Sequence, residues 1–154
     1  MTDRDQKLAS LGYPLDRGTK AGTLIEPLAI VGDIIYASGQ VPFDIDQLTS
    51  KGKVPSQVSV EDATKAASLC AANVLRAVRN KIGSLDRIER VVRVTGYVNG
   101  DPDFTDCHLV INGASNLLKE VFGDAGKHAR TALAMAQLPL GASVEVEMIL
   151  QLKK

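Results

Sequence analysis

Arg130 and Glu145 are the two side chains of this sequence whose types and surroundings best fit chemistry on a small carboxylate. Arg130 opens a run of small and apolar residues, and a guanidinium can hold a carboxylate through two parallel hydrogen bonds, which lysine does less well. Glu145 lies in the next strand-like segment, where a carboxylate could orient a water molecule or move a proton. The pattern alone favours a plainer interpretation, a cross-strand ion pair from Arg130 to Glu145 or Glu147.

A second group of candidates lies at Ser38-Gly39, after an earlier strand-like segment. A glycine there allows close backbone approach and can expose an N–H group to a ligand. In isolation the same pair is more often an ordinary strand terminator. Asn112-Gly113, inside a predicted helix, by itself indicates no more than a helix irregularity.

Templates for metal, nucleotide and nucleophile chemistry are missing or weak. Neither GxxxxGKS/T nor GxGxxG occurs. Cys107 and His108 are adjacent, so they do not share a helix face, and His128 stands apart from them. Surface or core roles are far more common for such residues than a zinc site. A Cys107/His108 nucleophile pair stays open but has no third group to orient it. We expect no metal and no cofactor.

Composition excludes several classes of protein. The chain has 154 residues with 18 basic and 18 acidic side chains, three tyrosines, three phenylalanines and no tryptophan. Zero net charge and few aromatic rings argue against nucleic-acid binding. No apolar run reaches the ~20 residues of a membrane span. The charged first seven residues do not form a signal peptide, and two cysteines are no disulfide framework, so we expect a cytoplasmic protein without membrane partners.

The periodicities predict the element order ββ–α–β–α–ββ after a short lead-in helix. Ser59 and Asp62 form a capping-box-like helix start, Gly83 ends that helix, and Gly32-Asp33 is turn chemistry for a hairpin. The turn at 138–141 is expected to pair the last two strands antiparallel. The predicted elements are a helix at 3–11, strands at 24–31 and 34–38, a helix at 59–82, a strand at 88–98, a helix at 104–122 and strands at 129–137 and 143–151.

Two helices cannot cover both faces of a sheet of about five strands. We therefore predict an α+β fold, a two-layer sandwich with both helices on one sheet face. The uncovered face must meet water or another subunit, and an apolar face there would favour oligomers. No linker or repeat divides the chain, so residues 1–154 are interpreted as one domain with residues 1–20 as an N-terminal extension.

Three blocks of the sequence together resemble the RidA/YjgF family of reactive-intermediate deaminases, also called endoribonuclease L-PSP. The first block is residues 35–42, IYASGQVP, and the second is residues 88–98 with Asp103-Phe104 beyond. The third and most specific, residues 129–147, keeps the arginine, the Leu-Pro turn and the Glu-x-Glu strand at the family spacing. The resemblance covers about residues 22–152, nearly the whole chain.

The resemblance implies a chorismate-mutase-like fold with a mixed sheet, assembled as a homotrimer with clefts at the subunit interfaces. Arg130 would grip the carboxylate of a small enamine or imine derived from an amino acid, such as 2-aminoacrylate. Glu145 would position the hydrolytic water, and the products would be a 2-keto acid and ammonia. Ser38 and Gly39 would line the cleft, and Asn112 matches a helix asparagine that helps to form it. No metal or cofactor takes part.

The sequence also departs from the family pattern. Residues 22–27 read GTLIEP where the family has Gly-Pro-Tyr, which places an apolar residue near Ile25 at the position of the cleft tyrosine. Ala132 stands where the family often has cysteine, and residues 108–122 look longer than usual. With the extension at residues 1–20, these differences indicate a divergent subgroup.

Two other functions remain open at this stage. A non-catalytic trimer that binds small carboxylic metabolites would keep Arg130 and would tolerate the changed tyrosine position. An endoribonuclease or translation inhibitor, as in the older family label, is disfavoured by zero net charge and the lack of a histidine pair for acid–base cleavage.

Overall fold

A five-stranded mixed sheet forms one layer of the molecule in the computed structural model, which describes residues 3–17 and 24–154. The strands of the described residues are β1 (Leu28–Val31), β2 (Ile34–Gln40), β3 (Phe43–Asp44), β4 (Gln47–Leu48), β5 (Ile88–Asn99), β6 (Ala129–Met135) and β7 (Val144–Leu152). The large sheet has the order β1-β2-β7-β5-β6, and β3 and β4 form a separate small hairpin. That hairpin lies in a segment predicted to be loop.

Three α-helices among the described residues form the second layer. They are α1 (Asp3–Ser10), α2 (Val60–Ile82) and α3 (Cys107–Phe122). The predicted caps of α2 are confirmed: the Ser59 hydroxyl accepts the backbone N–H of Asp62 at 3.0 Å, and Gly83 ends the helix with φ of 91°. β1 and α3 both begin later than predicted, at Leu28 and Cys107.

The predicted antiparallel pairing of the last two strands is wrong, because β5 lies between β6 and β7. β6 runs parallel to β5, and β7 runs antiparallel to β5 on its other edge. A parallel pair needs a crossover connection, and α3 supplies it between β5 and β6. After β6 the chain makes a 3₁₀ turn at Pro139–Gly141. It then crosses the end of β5, and β7 pairs with the edge of β5 opposite β6.

Both long helices pack on the same face of the sheet, as the two-layer prediction required. α2 contacts β2 and β7, α3 contacts β5 and β6, and the two helices contact each other. The predicted alternation of β7 is confirmed, since its helix-facing side chains are buried and the intervening ones are partly exposed. The helix-facing set is Val144, Val146, Met148 and Leu150.

The opposite face of the sheet, which we call the open face, is not covered by any described residues of the chain. Alternation along the strands places Tyr36, Leu133 and Met135 on it, and they are 50%, 46% and 37% exposed. β6 forms one edge of the sheet and has no partner on its outer side among the described residues. An apolar face beside an unpaired strand edge is a common site of association between chains.

The N-terminal helix is anchored to the rest of the fold. Leu8 is fully buried in the common core. The Asp5 carboxylate accepts the backbone N–H of Leu85 at 3.0 Å and lies 3.5 Å from Nε of Arg79. None of the helices described at 3–17 and 24–154 is long and apolar enough to cross a membrane.

The two long helices and the sheet approach each other closely at two glycines. A Cβ built on Gly113 of α3 would lie 2.0 Å from the carbonyl oxygen of Thr64 in α2. A Cβ on Gly96 of β5 would lie 2.4 Å from the side chain of Ile111. Gly113 is therefore more than the helix irregularity considered above, because it lets the α2 backbone contact α3 directly.

We predict that Gly113→Ala lowers the free energy of unfolding by about 1–3 kcal/mol, because the added methyl forces the α2 backbone away. Helix propensity alone predicts the opposite sign, a gain of up to about 1 kcal/mol. Urea unfolding measures the difference. Asn116→Ala, at an exposed position of the same helix, is the matched control and should stay within about 0.5 kcal/mol of wild type. A Gly113→Ala protein as stable as wild type would contradict the close packing.

Candidate functional site

Arg130 is held by three acceptors on one face of α3. Its Nη1 donates to Oδ1 of Asn112 at 2.9 Å and to Oγ of Ser115 at 3.1 Å, and its Nη2 donates to the carbonyl of His108 at 3.4 Å. The three acceptors are spaced four and three residues apart, which places them along one side of the helix. Arg130 is the second residue of the edge strand β6, lies on its helix-facing side opposite Val94 of β5, and remains partly exposed.

His128 extends this network behind Ser115. Its Nδ1 lies 2.6 Å from the carbonyl of Gly126, and its Nε2 lies 2.9 Å from Oγ of Ser115. Since a carbonyl only accepts, Nδ1 carries the proton, and in the neutral ring Nε2 accepts the Ser115 hydroxyl proton. Burial lowers the pKa of His128, and the charge of Arg130 adds to this effect. The neutral ring thus directs the Ser115 hydroxyl proton toward Nε2, which leaves the Ser115 oxygen to accept the hydrogen bond from Arg130.

In the described part of the chain, all the hydrogen-bond partners of Arg130 are neutral oxygen atoms. Within residues 3–17 and 24–154 no carboxylate forms an ion pair with it. A hollow of 290 Å³ adjoins the guanidinium and is also lined by Lys119 and Lys127, of which Lys127 pairs with Asp124 at 2.8 Å. The guanidinium is oriented by the fold while its charge remains available for an anion.

Glu145 lies on the open face of β7, opposite Tyr97 of β5. Burial raises the pKa of its carboxyl, and the negative charge of Glu147 raises it further. Tyr97 donates its phenolic proton to Oε1 of Glu147 at 3.1 Å. A carboxyl group with a raised pKa can accept or return a proton closer to neutral pH than an ordinary glutamate.

Ser38 and Gly39 occupy an irregularity of β2, where the register against β7 shifts between Ala37 and Gln40. A Cβ on Gly39 would lie 2.2 Å from Oε1 of Glu145, so a glycine there leaves room for that carboxylate. The Ser38 hydroxyl instead donates to the carbonyl of Glu26 at 2.7 Å. Gly39 therefore lies directly against the Glu145 carboxylate, whereas the Ser38 hydroxyl is hydrogen-bonded to the segment before β1.

Arg130 and Glu145 do not meet within one copy of the chain. β5 separates their strands, Arg130 points to the helix face and Glu145 to the open face. Two strand spacings and three residues along β5 put their Cα atoms roughly 14 Å apart. Their expected position on neighbouring strands is wrong, and neither Arg130–Glu145 nor Arg130–Glu147 is an ion pair in the described part of the chain.

Ala132 lies on the same strand face as Arg130. It is partly buried, opposite Gly96 on the helix-facing side of β6, two residues from Arg130. Ile25 is 69% exposed, whereas residues 22 and 23 of the same segment lie outside the described residues.

Cys107 is buried at the start of α3, and His108 contributes its carbonyl to Arg130. No three His, Cys, Asp or Glu side chains of the described residues cluster as a metal site.

The sequence patterns did not identify Ser115, which contacts Arg130, or His128, which contacts Ser115. Ser115 follows Asn112 by three residues, so helical spacing could have placed it on the same face. His128 precedes Arg130 by two residues and shares its side of the extended chain. Its contact with Ser115 depends on how α3 packs against β6, which no local pattern reveals.

A protein-family model described as "YjgF/chorismate_mutase-like, putative endoribonuclease" matches residues 5–152. The chain is 36% identical over 146 residues to Protein TCP17 of Trypanosoma cruzi, covering 94% of this chain and 91% of that protein. It is 30% identical over 122 residues to RutC family protein y4sK of Sinorhizobium fredii strain NBRC 101917 / NGR234, covering 79% and 82% of the two chains.

Solved structures include a close match to the whole fold. The protein Atu1372 of Agrobacterium tumefaciens, whose function is unknown, is 40% identical with a TM-score of 0.90, over 97% of this chain and 92% of that one. A protein from Shewanella oneidensis MR-1 is 28% identical with a TM-score of 0.92, over 98% and 100%. The α+β architecture described above is therefore shared with these proteins over at least 97% of this chain.

We predict that wild-type stability falls as pH decreases below about 6.5, the ordinary pKa of histidine. The pKa of His128 is lower in the folded state, so the unfolded chain takes up a proton first and unfolding becomes more favourable. Urea unfolding at a series of pH values measures this slope, and His128→Gln should reduce it. His108→Gln, which removes the exposed histidine side chain, is the control and should keep the slope. An unchanged slope in His128→Gln would contradict the buried neutral ring.

Proposed function

Because the chain belongs to the YjgF/chorismate-mutase-like family, we propose that it is a hydrolytic deaminase of small enamines and imines derived from amino acids. The observation that carries the proposal is Arg130, which neutral oxygens of α3 orient and no carboxylate of the described residues neutralises. A planar guanidinium in this state suits the carboxylate of a 2-aminoacrylate-like substrate.

Glu145 is the proposed positioning group for water. The enamine first takes a proton at carbon and loses one from nitrogen, which converts it to the imine. Water then adds its oxygen to the imine carbon while Glu145 accepts a water proton and passes it to the nitrogen, which gives a carbinolamine. The hydroxyl proton of the carbinolamine moves to the nitrogen through Glu145 as the C–N bond breaks, so ammonia leaves and the 2-keto acid remains. Such compounds also hydrolyse in water alone, so holding the carboxylate and the water in place supplies most of the acceleration. The proposed reaction needs no metal and no cofactor.

The proposed site requires two copies of the chain. A substrate of a few atoms cannot span the roughly 14 Å between Arg130 and Glu145, which also face opposite sides of the sheet. Arg130 of one copy would meet Glu145 and Gly39 of another. The exposed apolar open face and the unpaired edge of β6 support such an assembly, for which we propose a homotrimer.

A second candidate is a non-catalytic trimer that binds small carboxylic metabolites. The observation that favours it is the segment before β1, where exposed Ile25 stands near the expected cleft tyrosine. The same Arg130 would bind the ligand, and no acceleration of hydrolysis would be seen. The endoribonuclease wording belongs to the descriptions of the relatives, and the zero net charge of this chain gives nucleic acid no evident electrostatic attraction.

We predict that Arg130→Ala lowers kcat/KM for freshly generated 2-aminoacrylate about 10- to 100-fold, the loss expected for hydrogen bonds to a charged group. Keto-acid formation and ammonia release measure the rate against the uncatalysed reaction. Arg90→Ala, at an exposed position of β5, is the control and should keep the wild-type rate.

Sedimentation should show that Arg130→Ala and wild type form the same trimer. Wild-type protein without acceleration, or full activity in Arg130→Ala, would contradict the deaminase proposal. Carboxylate binding that depends on Arg130 but brings no acceleration would support the metabolite-binding alternative.

We predict that Glu147→Gln moves the acidic limb of the pH–rate profile to lower pH. The limb reports protonation of Glu145, whose pKa is raised by burial and by the charge of Glu147, and the substitution removes that charge. Rates measured from about pH 4 to pH 8 locate the limb. Glu61→Gln makes the same charge change at an exposed position of α2 and should leave the limb in place. An acidic limb that stays at the same pH in Glu147→Gln would contradict its assignment to protonation of Glu145.

A further inference from the structure

A second cavity lies away from Arg130, between the N-terminal segment, the start of α2 and the β3–β4 hairpin. Its volume is 580 Å³, twice that of the hollow beside Arg130. Fifteen of the described residues line it, and they include the buried cation Arg76 and an apolar wall. The apolar wall consists of Tyr13, Pro14, Val58, Ala66 and Leu69.

Arg76 is the unusual member of this lining. It is only 2% exposed, and its guanidinium makes two hydrogen bonds in the described structure, from Nε to the carbonyl of Pro14 at 2.8 Å and from Nη1 to Oδ1 of Asn73 at 2.7 Å. Nη2 has no protein acceptor among the described residues. Asn73 is itself fixed, because its Nδ2 donates to the carbonyl of Phe43 at 2.8 Å. The fold therefore orients Arg76 and leaves one of its ends free.

No carboxylate of the described residues forms a direct ion pair with this buried cation. Burial lowers its pKa, and the nearby charges of Asp44 and Asp16 partly oppose this effect. The two acidic groups of the lining are occupied: Asp44 lies 3.3 Å from Arg17, and Asp62 lies 3.3 Å from Lys65. Lys51 also lines the cavity without an ion pair in the described residues. A buried charge that forms no direct ion pair is costly, so an anion bound in the cavity would lower the free-energy cost of burying Arg76.

We propose that this cavity is a second ligand site, which binds a small molecule with an oxyanion group, carboxylate or phosphate, on a compact apolar body. The oxyanion accepts from the free end of the Arg76 guanidinium, and Lys51 adds attraction at the rim. The apolar body packs against Val58 and Leu69. The site uses none of the residues assigned to deamination, so it would be occupied independently of that reaction.

Isothermal titration with benzoate and with phenyl phosphate tests the site, and benzyl alcohol serves as the uncharged control probe. The two anions distinguish a carboxylate ligand from a phosphate ligand. Titrations use the Arg130→Ala protein, in which the proposed substrate anchor is absent. We expect saturable binding of at least one anion, no binding of benzyl alcohol, and at least about tenfold weaker binding when Arg76→Gln is added.

A second variant keeps the test decisive if Arg76→Gln fails to fold. Leu69→Trp fills the apolar part of the cavity and leaves Arg76 in place, and the only tryptophan of the chain then reports by its emission whether it is buried. It should also abolish binding. Absence of saturable binding in the Arg130→Ala protein, or binding that persists within twofold in Arg76→Gln or Leu69→Trp, would overturn the proposal.

Discussion

The position of β5 between β6 and β7 is the constraint on which the rest of the structure depends. It makes the sheet mixed, because α3 must carry the chain across to a parallel neighbour. It also places Arg130 on the helix face of an edge strand and Glu145 on the open face of an inner one. The two groups that resemble a catalytic pair in the sequence are therefore separated within one chain, and the joint chemistry that we propose needs a second copy.

Two arginines show how this fold keeps a cation available for a ligand. Arg130 and Arg76 are both oriented by neutral acceptors, an asparagine side chain and a backbone carbonyl among them. Neutral acceptors fix the geometry of a guanidinium without cancelling its charge. The two sites differ in burial, since Arg130 is partly exposed at a sheet edge and Arg76 is enclosed beneath the N-terminal segment.

Local patterns predicted most elements and their caps. Ser59 and Gly83 bound α2 as expected, and the alternation of β7 correctly separates its buried and exposed sides. Strand pairing could not be predicted in the same way, because the Leu-Pro turn is compatible both with a hairpin and with a passage over the end of β5. The Ser115–His128 contact behind Arg130 was missed for a similar reason, since it joins two elements that only packing brings together.

The sequence by itself determined the family, the two-layer α+β class and the residues that carry charge at the candidate site, because these follow from residue types and short-range spacing. Only the tertiary structure decided which faces Arg130 and Glu145 occupy, that Gly39 makes room for the Glu145 carboxylate, and that Arg76 lines a cavity without a direct ion pair to any described residue. These features depend on strand order and helix docking. Both arise from contacts between segments far apart in the chain, which local periodicity does not encode.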